Sequence, residues 1–279
     1  MLLSVDKIYT CETIAQALEY LTLDEAAMPL AAGTDLVPML RDGAVKNARL
    51  VDLHNIRELD YIRYEDGLLR IGAMTTLQEI AGNELVRKYI PALSHACSQI
   101  GSAQIRRRAT IGGNICHASP AADTLPVLIA AEACAVMRSS EYRKTILLES
   151  FFTGFKTTRL SRGVLLEEVT ILVPEGGWRG NFYKVGGRNA LTISIASVAV
   201  LRGDRGICTA YGSMSPCVKR IRAVEEYLDN NPEAEQDSLR RLVGECLSPI
   251  TDIRASKEYR LEVASNLTWL GSFELSGKN

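Results

Sequence analysis

The 279-residue chain lacks most of the short signatures that assign a chemistry at sight. It contains no HExxH, no GxSxG, no GxxxxGK followed by Ser or Thr, and no GxGxxG. These absences set aside the zinc-peptidase, nucleophile-elbow, P-loop and Rossmann readings. Histidine is scarce: His54, His95 and His117 stand far apart in sequence and form no metal-ligand spacing, which reads them as surface or packed residues. The seven cysteines are Cys11, Cys97, Cys116, Cys134, Cys208, Cys217 and Cys246, an odd number with no CxxC pair. Free thiols in a reducing, cytoplasmic setting are expected, and neither zinc nor an iron–sulfur cluster held by this chain. The formal net charge of −1 gives no bulk electrostatic case for nucleic acid. No uninterrupted apolar run is long enough for a membrane span, and the opening MLLSVDKIYTCET, with its early Asp6, argues against a signal peptide.

Hydrophobic residues make up 47% and charged residues 23%, as in an ordinary globular protein. The chain is long enough for two domains and for a core that needs no disulfides. Ile14, Ala17, Leu18 and Leu21 recur at helical spacing and predict a helix over 12–22. Met28 to Ala32 reads as a strand running into the turn Gly33-Thr34-Asp35, with a short helix beyond. Strands are expected around 50–53, over 68–73 and over 164–173. Thr76 and Pro91 begin helices, and 124–133 is helix or buried strand. The segment 101–122, with paired glycines, three arginines and a proline, cannot be one regular element. After Pro174-Glu175-Gly176-Gly177 the character changes: three strands, with a hairpin at 203–206, precede three helices. Leu239, Leu242, Val243, Cys246 and Leu247 form the apolar stripe of the middle helix. A domain boundary is expected near 175 (domains 1–175 and 176–279), with a subdivision near 60.

Three segments are candidates for chemistry. In Pro29-Leu30-Ala31-Ala32-Gly33-Thr34-Asp35-Leu36, small residues at a strand-to-helix turn let backbone N–H groups approach an anion, and Thr34 can donate its hydroxyl to a phosphate. The alternative is an ordinary N-capped helix, with Thr34 or Asp35 as the cap. In QIRRRATIGGNICHASPAADTLP, Gly112 and Gly113 remove two Cβ atoms where a ligand can lie against the backbone. Asn114 adds a donor and an acceptor, and Asp123 can accept from a diol or cap the helix that contains Pro126. Arg106 to Arg108 form either a solvated basic face or a phosphate or partner contact. In FYKVGGRNA, Lys184 lies in a strand amid apolar neighbours, where it is either an exposed position or a cation facing an electron-rich ring.

LAAGTDL, QIRRRATIGGNICHASPAADTLP, FYKVGGRNALTISIASVAV and DIRASKEYRLEVASNL resemble the FAD-binding medium subunits of molybdenum hydroxylases. The resemblance spans essentially the whole chain. It implies an α+β fold: a two-part FAD-binding domain of the vanillyl-alcohol-oxidase type, then a C-terminal domain with a small antiparallel sheet and helices. It implies FAD contacts at Leu30, Ala31, Ala32, Gly33, Thr34, Asp35, Leu36 and Val37, at Ile100 and Gly101, at Thr110, Gly112, Gly113 and Asn114, and at Asp123, Leu166 and Lys184. The family often carries two glycines where this chain has Ala32-Gly33. The resemblance further implies a large partner subunit with the molybdenum cofactor and a small one with two 2Fe–2S clusters. Electrons would pass through FAD to NAD⁺ or another acceptor, and no residue of this chain would act catalytically on the organic substrate. A flavin-free scaffold subunit and a stand-alone flavin oxidase are the alternatives.

Overall fold

The computed structural model describes residues 3–188 and 191–277. Three main sheets follow one another along the chain. The first is parallel: β1 (Val5–Thr10), α1 (Ile14–Leu23), β2 (Ala27–Leu30), α2 (Leu36–Arg41) and β3 (Ala48–Asp52) build it in the order β1-β3-β2. α1 buries Ile14, Ala17, Leu18 and Leu21, the residues whose spacing marks it, and the Thr13 hydroxyl caps it by accepting from the Gln16 amide at 3.2 Å. β1 carries no such signal, because most of VDKIYT is exposed.

The second sheet is antiparallel. It opens with β4 (Ile62–Glu65) and β5 (Leu68–Gly72). Six helices follow: α3 (Leu77–Gly82), α4 (Glu84–Tyr89), α5 (Pro91–Ser98), α6 (Ala103–Arg106), α7 (Ile111–His117) and α8 (Thr124–Ala130). Then come β6 (Cys134–Arg138), β7 (Arg143–Leu147), the small pair β8 (Phe152–Gly154) and β9 (Thr157–Thr158), and β10 (Leu165–Leu172). The strand order is β4-β5-β10-β6-β7, so β10 returns to the centre and is buried along nearly its whole length. A bulge between Leu166 and Glu168 upsets the two-residue alternation. Glu167 and Glu168 both meet Arg143, at 2.9 and 2.6 Å, and Arg70 adds a second cation to Glu168 at 2.9 Å.

The third sheet is a meander of β11 (Arg179–Gly186), β12 (Ser194–Gly203), β13 (Gly206–Gly212) and β14 (Lys219–Arg220). The pairing of Gly203 with Gly206 closes the hairpin read from the sequence. Ala196, Val198 and Val200 pack under α9 (Arg222–Asn230), α10 (Gln236–Cys246) and α11 (Lys257–Leu275). Ala199 and Leu201, on the other face of β12, join the core that holds α5 and α8. Burial on both faces explains why this strand reads as an apolar run rather than an alternation. A buried guanidinium also spans the junction: Arg220 reaches Glu225 at 2.6 Å and Glu132, just after α8, at 2.7 Å. The architecture is the α+β arrangement that the resemblance implies, ending in a small antiparallel sheet with helices. Among the described residues, no helix is long and apolar enough to cross a membrane.

Candidate functional site

A cleft of about 660 Å³ opens where the β2–α2 turn faces the start of α7, with the segment leading into β10 as its third wall. Of the expected residues it is lined by Leu30, Ala31, Ala32, Gly33, Thr34, Asp35, Leu36, Ile100, Thr110, Gly112, Gly113, Asn114 and Leu166. Val37, Gly101, Asp123 and Lys184 are not on its wall.

The two glycine-bearing loops differ in what they offer. Gly33 takes φ +69°, which turns the chain between β2 and α2. Among the described residues, no backbone or side-chain acceptor meets the amides of Ala32, Gly33, Thr34 and Asp35. Four successive free N–H groups beside a cleft form a cradle for an anion. Asp35 holds the cap position of α2 but makes no capping bond; its carboxylate turns instead to His117 Nδ1, 2.5 Å away.

The first turn of α7 has its amides already spent. Ile111 N donates to Thr75 O, Gly112 N to Ala73 O, Gly113 N to the Thr110 hydroxyl, and Asn114 N to Thr110 O. What it contributes is space. Neither Gly112 nor Gly113 has a positive φ, so each is there for lack of a Cβ. A Cβ on Gly112 would fall 2.6 Å from Ala73 O, so this glycine serves packing. A Cβ on Gly113 would lie 3.1 Å from the Thr110 hydroxyl that caps the same helix, and beyond that would meet only Ala31 Cβ, at 3.9 Å across the gap. Asn114 Oδ1 accepts from Thr124 Oγ1 at 2.5 Å and so ties α7 to the first residue of α8.

Ile100 and Gly101 are fixed by Arg106, which donates to their carbonyls at 3.2 and 3.1 Å. Of the three consecutive arginines, Arg106 is therefore structural, while Arg107 and Arg108 are exposed. Asp123 also makes no helix cap. Its carboxylate accepts from Lys184 at 2.7 Å and from Ser194 at 2.6 Å, and Lys184 donates as well to Gln99 O at 3.1 Å. Lys184 is thus only 9% exposed at its side chain, not an exposed strand position, and it faces a carboxylate. Burial pushes the Asp123 carboxyl up, and Lys184 and Ser194 pull it back down.

Among the cleft residues outside the expected set are His117, Cys116 and Arg162. His117 follows Asn114 by three positions on α7, a same-face spacing visible in the sequence. The Cys116 thiol is pushed up to about 12 by burial, so it stands there as a neutral thiol. Arg162 leaves no sequence signal; it is held by Glu25 and by the Thr22 carbonyl, each at 2.5 Å.

The comparisons with known proteins agree with this layout. Residues 4–174 match the family described as the FAD binding domain in molybdopterin dehydrogenase, and residues 181–270 match the CO dehydrogenase flavoprotein C-terminal domain. The chain is 31% identical to the glyceraldehyde dehydrogenase medium chain of Sulfolobus acidocaldarius over 265 residues, covering 92% of this chain and 93% of the relative. It is 31% identical over 271 residues to a xanthine dehydrogenase FAD-binding subunit of Escherichia coli, covering 92% and 91%. A chain of the reconstituted CO dehydrogenase from Oligotropha carboxidovorans superposes with a TM-score of 0.91 at 25% identity, covering 100% of both chains. The chain belongs to the FAD-binding medium subunits of the molybdenum hydroxylase family and is an oxidoreductase subunit.

Proposed function

We propose that the chain holds one non-covalent FAD in the cleft and relays electrons from 2Fe–2S clusters of a small partner subunit to NAD⁺, while a large partner carries the molybdenum cofactor. The observation that carries this reading is the row of amides from Ala32 to Asp35 without a protein acceptor, on one wall of a cleft whose other wall carries Gly113. The residues present fit the cofactor. The amides and the Thr34 hydroxyl would take the pyrophosphate, Gly113 would let it pass, and Ile100, Leu165 and Leu166 supply apolar wall. Ala32 is compatible with this role, because its methyl leaves its own amide free. Bound FAD supplies the one- and two-electron chemistry. Lys184 and Asp123 act from behind the wall: Lys184 grips Gln99 O, next to Ile100. Residues 1–175 would carry the flavin, and 176–279 would brace it and meet the partners, in a cytoplasmic complex.

The test is direct. Acid precipitation of the purified chain should release a yellow supernatant, and the chain should pass electrons from NADH to an artificial dye. Xanthine should not reduce the dye through this chain alone. Colour that stays in the pellet would contradict non-covalent binding. A colourless chain that cannot be reconstituted would favour the scaffold role, and turnover of xanthine without partners would overturn the electron-relay reading. Full flavin without NADH turnover would move the acceptor away from NAD⁺.

A further inference from the structure

The cleft presents a charge problem that the FAD reading leaves unsolved. Its charged lining residues are Asp35, His117 and Arg162. Arg162 is engaged outward, on Glu25 and the Thr22 carbonyl. Asp35 is the last of the four residues with free amides, so a carboxylate stands at the end of the cradle where an anion would lie. An uncompensated carboxylate there repels a pyrophosphate. His117 meets that carboxylate at 2.5 Å from the opposite loop, with 26% of its side chain exposed. Among the described residues, no backbone hydrogen bond joins 31–36 to 110–117, so this contact is the polar link between the two loops.

We infer that Asp35 and His117 form a latch: the His117 ring engages the Asp35 carboxylate, holds it away from the bound anion and draws the amide-bearing loop against α7 around the phosphates of the dinucleotide. The inference rests on the FAD reading. His117 is a positioning residue, acting on the ligand through Asp35.

The experiment is FAD dissociation from the full chain at one neutral pH for four proteins, with thermal melts beside it. Wild type should hold FAD most tightly. His117→Leu removes the ring nitrogen that meets the Asp35 carboxylate and should bind FAD about tenfold more weakly than wild type, about 1.4 kcal/mol. Asp35→Asn removes the charge that repels the anion and should retain FAD close to wild type. The double variant Asp35→Asn with His117→Leu should recover most of the loss, which a purely structural contact would not allow. A His117→Leu that holds FAD as wild type does, or a double variant as weak as His117→Leu alone, overturns the latch while leaving the FAD reading in place. Failure of wild type itself to take FAD at any pH overturns that reading and the latch with it.

Discussion

Lys184 on β11 and Asp123 at the start of α8 stand 2.7 Å apart, 9% and 7% exposed, and join the third sheet to the helices beneath it. Each charge is unaffordable in the interior without the other. Lys184→Met leaves Asp123 with only the Ser194 hydroxyl and frees Gln99 O. The variant should lose about 3 kcal/mol of stability, the usual cost of orphaning a buried charge. Urea unfolding of the purified chain measures it. A loss under about 1 kcal/mol would mean that Asp123 takes up a proton at little cost, since burial already pushes its carboxyl up.

The adjacent glycines of α7 should separate folding from binding. Gly112→Ala places a methyl 2.6 Å from the Ala73 carbonyl oxygen and should destabilise the chain by about 2 kcal/mol. Gly113→Val meets only the Thr110 hydroxyl at 3.1 Å and then the gap toward Ala31, so it should cost less stability than Gly112→Ala while losing flavin. Thermal melts and flavin content, measured on both variants, read the two effects independently. Equal flavin occupancy in wild type and Gly113→Val would remove this loop from the site.

Gly33→Ala tests the first loop. Its φ of +69° disfavours a side chain, and the new Cβ would fall 2.8 Å from Val37 Cγ2. The backbone penalty alone is about 1 kcal/mol, and relief by shifting the turn would misdirect the free amides. Flavin affinity should therefore fall more than stability does. Titration of the apo-chain with FAD beside a melting curve checks the order of the two effects.

The helices that lie on a core were legible from periodicity, because one buried face imposes the 3.6-residue pattern on α1 and α10. β1 and β4 were not, since each has mostly exposed side chains and so no alternation to read. The irregularity of 101–122 was visible in its glycines, but not that α6 and α7 are cut from it; helices of four and seven residues are too short to show a period. At the site, the small residues 30–36 and 110–114 mark where a backbone can be approached. Side-chain roles were harder. Asp35, Asp123 and Lys184 each have a local use readable from sequence, yet each is spent on a partner at least 61 positions away. Only the fold brings such partners together.

Asp24 gives the N-terminal sheet an acid sensitivity of its own. Its carboxylate accepts from the Tyr9 hydroxyl at 2.7 Å, from Arg49 at 3.1 Å and from the Ala26 amide at 3.1 Å. The Tyr9 bond, ahead of Arg49 and Ala26, holds the carboxyl below its ordinary range, against the opposing pull of desolvation. A carboxyl depressed in the folded state stabilises it at neutral pH, and that contribution is lost as pH falls through the folded value. Asp24→Asn should therefore be less stable than wild type at pH 7, and the difference should shrink on acidification below about pH 4, the ordinary carboxylate value. Tyr9→Phe should move in the same direction by less, because Arg49 and Ala26 remain. Urea midpoints across this range read the effect. A gap between wild type and Asp24→Asn that stays constant down to the lowest accessible pH would show that Asp24 works through shape rather than charge.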